Sequence, residues 1–406
     1  MNISNSIDEK KRNTVELLFF AFFIPWVAIV ILSESTYNTI IPVQITQIGR
    51  LMLPLCLVFL KLFLFDKHKF PQLMLILSGL TLILMQGMLL TGKDDILLST
   101  LLVIAAYKID FKKILKAYLC VSSIMVVILT ASAVAGIIPN IVSHQRGVTR
   151  YGLGSIWCTD YAARIFFLLV ILLYLYSAKM KFYHWIGVLA VAVIVYKCTY
   201  GRLDFTCMVL AIVLFFLHEQ IGKKENENKL KSFWTSLWEK LAPVLAPAAA
   251  VIMTLLTVLY SPDNKLLSKL NDLLSTRLQL GKSAFTDIGV TVLGQEVKWI
   301  GMGYVVDDST PEGYNFVDCS YLNILFASGL IVAIALIVLL SYMAYRNRKD
   351  TRFVLVIALI SLNCMISHHL IEVAYNPIWV ALLAVMPIVS ENKKDDPSSL
   401  QCPDHG

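Results

Sequence analysis

Long apolar runs recur along the whole chain, and short polar segments that carry most of the charge separate them. A membrane-spanning helix needs about 20 mostly apolar residues, or fewer where it is buried among other helices. The runs that meet this requirement are 15–32, 47–65, 72–91, 95–107, 114–137, 157–177, 184–198, 203–218, 241–260, 319–343, 353–371 and 375–390. The pattern therefore predicts an all-α, polytopic integral membrane protein of about 12 transmembrane helices.

Composition agrees with this pattern. The 406 residues are 57% hydrophobic and 16% charged, whereas about 25% of residues are charged in an average soluble chain. The first apolar run is long and no small-residue cleavage site follows it, so we interpret it as a retained helix and not as a signal peptide. We expect one transmembrane bundle over 1–390 and a disordered cytoplasmic tail over 391–406.

Lysine and arginine are concentrated in alternate loops. Because loop cations are retained in the cytoplasm, this alternation predicts an even number of helices with both termini on the cytoplasmic side. The formal net charge of +7 is explained by these loops, and we predict no nucleic-acid partner. The eight cysteines form no CxxC pair and show no Cys/His ligand spacing, so we interpret them as small apolar side chains.

The segments predicted to lie outside include one large loop, 261–318. Loops of this length are usually functional or disordered, and the aromatic residues in this one favour order. Apolar residues recur at helical spacing between Asn264 and Leu280. We expect a helix there that lies on the membrane surface or caps the bundle.

Arginines on the predicted outer side run against the topology bias, so each of them needs a reason. They are Arg50, Arg146, Arg150, Arg164, Arg202 and Arg277. Arg164 lies deepest, about 10 Å into its helix, where a charge costs about 3 kcal/mol unless it is paired or faces water. Asp160 lies four residues earlier and is a candidate partner along the helix. Converging guanidinium groups also suit a diphosphate, whereas scattered ones would only hold lipid phosphates.

A second polar group follows the eleventh apolar run, at Ser367–Glu372. His368 and Glu372 are four residues apart, so on a helix they share a face, and His369 then points elsewhere. Such a pair can act as a general base, orient substrate or cap the helix. The sequence shows no third ligand at metal spacing, so we predict no metal ion and no cofactor.

Three stretches resemble one known family. They are Arg146–Gly154 (RGVTRYGLG), Thr199–Phe205 (TYGRLDF) and Phe316–Leu330 (FVDCSYLNILFASGL). In order and sidedness these stretches are similar to the Wzy-type oligosaccharide repeat-unit polymerases, within the wider group that includes the O-antigen ligases. The resemblance covers the whole topology and also allows a GT-C-like bundle. The second stretch departs from many relatives, because it reads Gly201-Arg202-Leu203-Asp204 where they carry a small hydroxyl residue beside the arginine, and Asp204 is the candidate to replace that hydroxyl.

The resemblance implies an enzyme that joins oligosaccharide repeat units on a polyprenyl diphosphate carrier, at the outer face of the cytoplasmic membrane of a bacterium. The partners implied are the lipid-linked oligosaccharide and membrane lipid, with a flippase and a chain-length regulator as further candidates. By position, we assign the substrate to Arg146, Arg150, Arg164, Arg202, Arg277 and Tyr321. We assign the chemistry to His368 and Glu372, with Asp318 and Asp160 as rival bases.

Other readings of the same pattern stay open. A ligase would perform the same chemistry on a different acceptor, and the motifs barely separate it from a polymerase. A transporter or flippase for lipid-linked sugars is disfavoured, because almost no ionisable residue falls in the middle of a predicted helix. A non-enzymatic scaffold would not require so many outward arginines.

Overall fold

The structure, a computed structural model, describes residues 3–65, 69–145, 147–223, 228–302 and 311–387 and is mainly α-helical. Its helices are α1 (Ile3–Ser33), α2 (Val43–Leu60), α3 (Phe70–Gln86), α4 (Asp95–Ala105), α5 (Phe111–Val134), α6 (Cys158–Tyr176), α7 (Phe182–Thr199), α8 (Arg202–Lys223), α9 (Asn228–Leu241), α10 (Leu245–Leu259), α11 (Lys265–Leu273), α12 (Arg277–Asp287), α13 (Ser320–Arg346) and α14 (Thr351–Asn363). A hairpin of β1 (Val142–Gln145) and β2 (Val148–Tyr151) is the exception to the predicted all-α fold among the described residues. The predicted tail, 391–406, lies outside them.

The helices confirm a polytopic membrane protein. Within the described residues, eight helices are long and apolar enough to cross a membrane, and there are nine if α9 and α10, which meet at a 61° bend, form one span. Two further apolar helices, α4 and α14, are shorter than a full span. The predicted number of spans, 12, therefore exceeds the number of long helices.

The chain nevertheless runs back and forth between two ends of one bundle. We call the end that holds Glu34 and Arg164 the upper end, and the end that holds Lys61 and Glu219 the lower end. The short α4 also has contacts toward both ends. Asp95 at its start pairs with Arg50 on the upper side, and the carbonyl of Ala105 at its end accepts from Lys61 at the lower end.

The last two predicted helices are wrong in extent. The run 353–371 is helical only as far as Asn363, and the described part of 375–390 contains a short 3₁₀ helix, Pro377–Leu382, in place of an α-helix. Proline disfavours helical geometry at the residue before it and cannot donate a backbone hydrogen bond. The irregular segment 364–387 still descends to the lower end, where the amide of Val385 donates to the carbonyl of Ile109 (2.8 Å).

Side-chain hydrogen bonds replace helical ones along the irregular segment. The hydroxyl of Ser320, the first residue of α13, donates to the carbonyl of Ser367 (2.6 Å) and accepts from the amide of Leu370 (3.2 Å). The carbonyl of Leu370 then accepts from the side chains of Asn376 (2.8 Å) and Trp379 (2.6 Å). These bonds satisfy buried backbone groups that a helix would have paired internally.

The large segment 261–318 is ordered where it is described, but its predicted single helix over 264–280 is two. Ser275 and Thr276 have left-handed backbone angles, with φ of 56° and 68°, and separate α11 from α12. Helix α12 then packs against α10 and α13, and a Cβ at Gly281 would lie 2.7 Å from Thr257 and 2.9 Å from Leu322. The expected capping of the bundle is thus supplied by α12.

Helix α6 lies at the centre of the bundle. In its span, Cys158–Lys179, 72% of the most apolar stretch is buried, whereas no residue of the corresponding stretch of Phe70–Thr91, which contains α3, is buried. A helix that is apolar all round lies either inside other helices or in lipid. The two polar residues near the start of α6, Asp160 and Arg164, are therefore held among other helices at the upper end.

Candidate functional site

Arg164 is buried at the upper end and is paired across the bundle. Its Nη2 donates to Oε2 of Glu34 (2.7 Å), Nη1 donates to the carbonyl of Ala374 (3.2 Å), and the guanidinium lies 3.8 Å from the ring centroid of Tyr375. The predicted pairing of Arg164 with Asp160 is wrong. Glu34, which follows α1, supplies the carboxylate because the guanidinium extends across the ring of Tyr375.

His369, and not His368, is the partner of Glu372. Nδ1 of His369 lies 2.9 Å from Oε2 of Glu372, and its ring is stacked on Tyr375 at a centroid distance of 3.7 Å. The prediction that His368 and Glu372 share a helix face failed because this segment is not helical. His369 was assigned no role from the sequence, since the helical spacing that excluded it does not exist here.

His368 completes a line of ring contacts. Its ring lies 4.0 Å from that of His369 and meets Phe316 edge-on at 5.0 Å. Phe316 in turn contacts Trp299 at 5.8 Å. Phe316, an aromatic residue of the large segment 261–318, therefore packs against His368, and Trp299 of the same segment packs against Phe316.

Asp160 faces both histidines without pairing with either. Its Oδ1 lies 3.9 Å from Nε2 of His369, which is beyond hydrogen-bond range. The three residues Asp160, His368 and His369 each offer one ligand atom, and these three atoms all lie within 4.8 Å of one another. Among the described residues, none donates a hydrogen bond to the carboxylate of Asp160. We call Asp160, His368, His369 and Glu372 the His–carboxylate cluster.

Burial sets the protonation of this cluster. It lowers the pKa of His368 to about 4 and that of His369 to about 3, so both rings are neutral at pH 7. It raises the pKa of Glu372 to about 7 and that of Glu34 to about 7. The histidines therefore present lone pairs, and Glu372 exchanges a proton close to neutral pH.

Arg277 joins the large segment to the cluster. Its Nη2 forms an ion pair with Oδ2 of Asp318 (3.0 Å), and its Nε donates to the carbonyl of Ile366 (2.9 Å), two residues before His368. Asp318, a predicted base, is thus paired with a guanidinium. Because its carboxylate is engaged by this guanidinium, we assign Asp318 to holding Arg277.

Arg150 and Arg202 lie at the turn between α7 and α8. Nε of Arg150 donates to the carbonyl of Thr199 (2.9 Å), which anchors the β-hairpin to this turn. Nη2 of the exposed Arg202 lies 3.3 Å from the hydroxyl of Ser275, which precedes α12 by two residues. The predicted outer arginines Arg150, Arg202 and Arg277 thus lie on neighbouring elements at the upper end.

The remaining assignments fall elsewhere. Arg146 lies outside the described residues. Tyr321 is buried and its hydroxyl donates to the carbonyl of Ser361 (3.0 Å), so it packs inside the bundle and does not face the cluster. Arg50 does lie at the upper end, where it forms ion pairs with Asp94 (3.2 Å) and Asp95 (2.6 Å).

Sequence reasoning missed Glu34, His369 and Tyr375. A carboxylate directly after the first apolar run is a usable signal for Glu34. The stacked positions of His369 and Tyr375 depend on the irregular backbone, for which the sequence offers only Pro377 and the polar residues of Ser367–Glu372. No family model, curated protein or solved structure matches this chain.

Proposed function

We propose that the protein is a membrane glycosyltransferase that transfers an oligosaccharide from a polyprenyl diphosphate to a hydroxyl of the next lipid-linked repeat unit. The observation that carries the proposal is the composition of the upper end. There, outer arginines and a buried His–carboxylate cluster lie at the same end of a membrane-embedded bundle. A lipid-linked donor requires both a membrane surface and cations for its diphosphate.

The arginines act on the leaving group. When the bond between the anomeric carbon and the phosphate oxygen breaks, the electron pair departs with the diphosphate. Arg202 is exposed, and Arg150 and Arg277 lie on neighbouring elements at the same end, so we assign the neutralisation of that charge to Arg202 first and to the positive field of the other two. Guanidinium groups bind phosphate oxygens in pairs and stay charged at every accessible pH.

Glu372 acts on the attacking group. The acceptor hydroxyl loses its proton to the carboxylate as its oxygen bonds to the anomeric carbon, so protons and electrons balance without a redox partner. The contact of Oε2 with Nδ1 of His369 fixes the carboxylate. Positioned general bases of this kind contribute about 10²–10⁴-fold to rate. Arg164, which is held by Glu34 and Tyr375, maintains the buried site and is not available to substrate.

The upper end faces the outside of a bacterial cytoplasmic membrane in this proposal, with capsular, exopolysaccharide or O-antigen chains as products. The lysine and arginine bias of the loops supports that orientation. The resemblance of three stretches to the Wzy-type polymerases supports transfer from a lipid-linked donor, and the products of the assay below separate a polymerase from a ligase.

The test uses purified protein in liposomes with a lipid-linked repeat unit, and product is resolved by gel. Arg202→Ala should reduce polymer formation about 100-fold, because it removes a cation that acts on the leaving group, and Arg202→Lys should restore part of the rate. Arg348→Ala, which removes a guanidinium paired with Glu239 at the lower end, is the matched control.

The products separate the candidate functions. A ladder of repeat units that shortens in Arg202→Ala supports the polymerase. A single full-length chain moved to a different acceptor would instead identify a ligase. Transbilayer movement of the substrate without any new glycosidic bond would identify a flippase, and it would overturn the proposal.

A further inference from the structure

The carboxylates at the upper end differ in their partners. Each of Glu34, Asp95 and Asp318 forms an ion pair with an arginine, at 2.7, 2.6 and 3.0 Å respectively, and the buried Asp204 accepts a hydrogen bond from the side-chain amide of Asn363 (3.1 Å). The carboxylates of Asp160 and Glu372, whose side chains are 25% and 20% exposed, form no ion pair with a described lysine or arginine, and each faces His369. Carboxylates that are largely withdrawn from water are normally paired with a cation or bound to a metal ion. A cation between Asp160 and the two histidines would supply that partner.

The geometry of His369 indicates what kind of cation fits. When Glu372 is ionised, Nδ1 of His369 donates the ring proton to it, which leaves the lone pair on Nε2, the nitrogen that lies 3.9 Å from Oδ1 of Asp160. A histidine that donates one ring N–H to a carboxylate and presents the other nitrogen is the usual arrangement of a metal-bound imidazole. His369 is 3% exposed, so this lone pair is not satisfied by bulk water.

The donor set favours a particular ion. Two imidazole nitrogens and one carboxylate oxygen match the three protein ligands of catalytic zinc sites, which keep a fourth position for water or substrate. In a tetrahedral zinc site the ligand atoms lie about 3.4 Å apart. The 3.9 Å between Nε2 of His369 and Oδ1 of Asp160 needs only a small side-chain movement to reach that spacing.

We propose that Asp160, His368 and His369 bind a divalent transition-metal ion, Zn²⁺ by their chemistry, and that Glu372 orients His369 from behind. The inference rests on the proposed function for its role in the reaction. The acceptor hydroxyl binds at the fourth position, where the ion makes its proton more acidic. The free oxygen of Glu372 then takes the proton, and the oxygen forms the glycosidic bond as before.

Arg164 does not prevent binding of the ion. Its charge is compensated by Glu34 at 2.7 Å, and the ring of Tyr375 lies between the guanidinium and His369. Asp160 and Glu372 together supply two negative charges to an ion of charge two.

The test measures metal directly on the full-length protein in detergent, with any affinity tag removed. After dialysis against chelator and titration with Zn²⁺, we expect one equivalent per chain by elemental analysis, and with Co²⁺ the visible absorption of a four-coordinate site. Asp160→Asn and His369→Gln should each weaken binding at least about 100-fold, and Glu372→Gln should weaken it about 10–100-fold. His144→Gln, which alters a histidine of the β-hairpin, should bind as the wild type does.

The outcomes distinguish this inference from the proposed function. Metal binding that is lost in the cluster variants, in a protein that forms no glycosidic bond, would support the metal site and overturn the function. A chelator-treated wild type that polymerises at full rate, or that binds no Zn²⁺ or Co²⁺ at micromolar concentration, would overturn the metal site. Folding of each variant is checked by its elution volume and thermal midpoint, and the wild-type titration decides the matter if a variant fails to fold.

Discussion

Charged groups are buried at both ends of the bundle, but their bonding differs. At the lower end, Glu219 accepts from the hydroxyl of Ser177 (2.7 Å) and from two nitrogens of Arg352 (2.8 and 3.2 Å). Nζ of the buried Lys61 donates to the carbonyls of Ala105 and Tyr107 (2.6 Å each). These lower-end groups have near partners of opposite charge or polarity.

The upper end is satisfied only in part. Arg164 and Glu34 form an ion pair as at the lower end, yet the carboxylate of Asp160 accepts no hydrogen bond from any described residue and Nε2 of His369 faces it at 3.9 Å. Polar groups largely withdrawn from water are usually hydrogen-bonded, so an exception calls for an explanation such as a ligand or a reacting group. The lower-end pairs thus stabilise the fold, whereas the upper cluster leaves one carboxylate without such a partner, as the proposed chemistry requires.

The largest effect is expected at Asp160, whose carboxylate has no hydrogen-bond donor among the described residues. Asp160→Asn keeps the shape of the side chain and removes its charge, so transfer should fall about 1,000-fold, within the range for loss of a group that activates the nucleophile. The thermal midpoint should stay unchanged or rise, because Asp160, whose side chain is 25% exposed, loses no cationic partner among the described residues. Polymer yield per folded molecule and differential scanning fluorimetry measure the two quantities. A lowered midpoint with normal transfer would place Asp160 in the structural group.

The next largest effect is expected at Glu219, which is paired with Arg352 at the lower end. Glu219→Ala leaves Arg352 without its carboxylate, and this should cost about 3 kcal/mol, the low end for a buried pair, because the side chain of Arg352 is 36% exposed. We expect a lower thermal midpoint and a lower yield of folded protein, with unchanged transfer per folded molecule. Arg348→Ala, at the more exposed pair with Glu239, should shift the midpoint by much less. Equal midpoints for the two variants would contradict the prediction.

An intermediate effect is expected at Glu34, which forms an ion pair with Arg164 beside the His–carboxylate cluster. Glu34→Gln removes the carboxylate of Arg164 but keeps a hydrogen-bond acceptor, so we expect a loss of about 1–3 kcal/mol in the free energy of unfolding. Transfer should fall about 10-fold, because Arg164 supports Tyr375 and through it His369. The turnover number should fall by this factor, and the Michaelis constant for the donor should not change. A change confined to the Michaelis constant would mean that Glu34 contacts substrate.

The smallest effect concerns the support of the irregular segment. The hydroxyl of Tyr118 donates to the carbonyls of Ala374 (2.8 Å) and Tyr375 (3.0 Å). Tyr118→Phe should cost about 1 kcal/mol, the net worth of such a bond, together with a small loss of transfer. Unfolding in denaturant measures the first quantity. Tyr37→Phe, which removes a hydroxyl contact with Ser132 at the same end, is the matched control.

Most of the fold follows from local sequence, and its failures have an identifiable cause. Apolar runs of spanning length became helices because a helix satisfies its own backbone wherever it lies. The prediction failed after Asn363, where Ser320, from a helix that begins 47 residues before Ser367, supplies the hydrogen bonds that release the backbone from helical geometry. No local pattern reports a partner at that distance.

The sequence predicted on which side of the bundle the candidate site lies and several of its polar residues, but it did not predict which of these residues pair with each other. The outer arginines and the Ser367–Glu372 segment were identified as the unusual polar residues. The helical spacing wrongly joined Asp160 to Arg164 and His368 to Glu372. The first error arose because the carboxylate partner of Arg164, Glu34, comes from a different element, and the second arose because Ser367–Glu372 is not helical, so that His369 and not His368 reaches Glu372.

The sequence alone determined that this protein is a membrane-embedded bundle with its unusual charges gathered toward one end, since span length and polarity are local properties of the chain. Only the tertiary structure decided that Glu34 neutralises Arg164 and that Asp160 faces His368 and His369. Those contacts join α1, α6 and the irregular segment after α14. Their geometry depends on how helices pack and on where one of them stops, and neither is encoded in the spacing of residues along any single element.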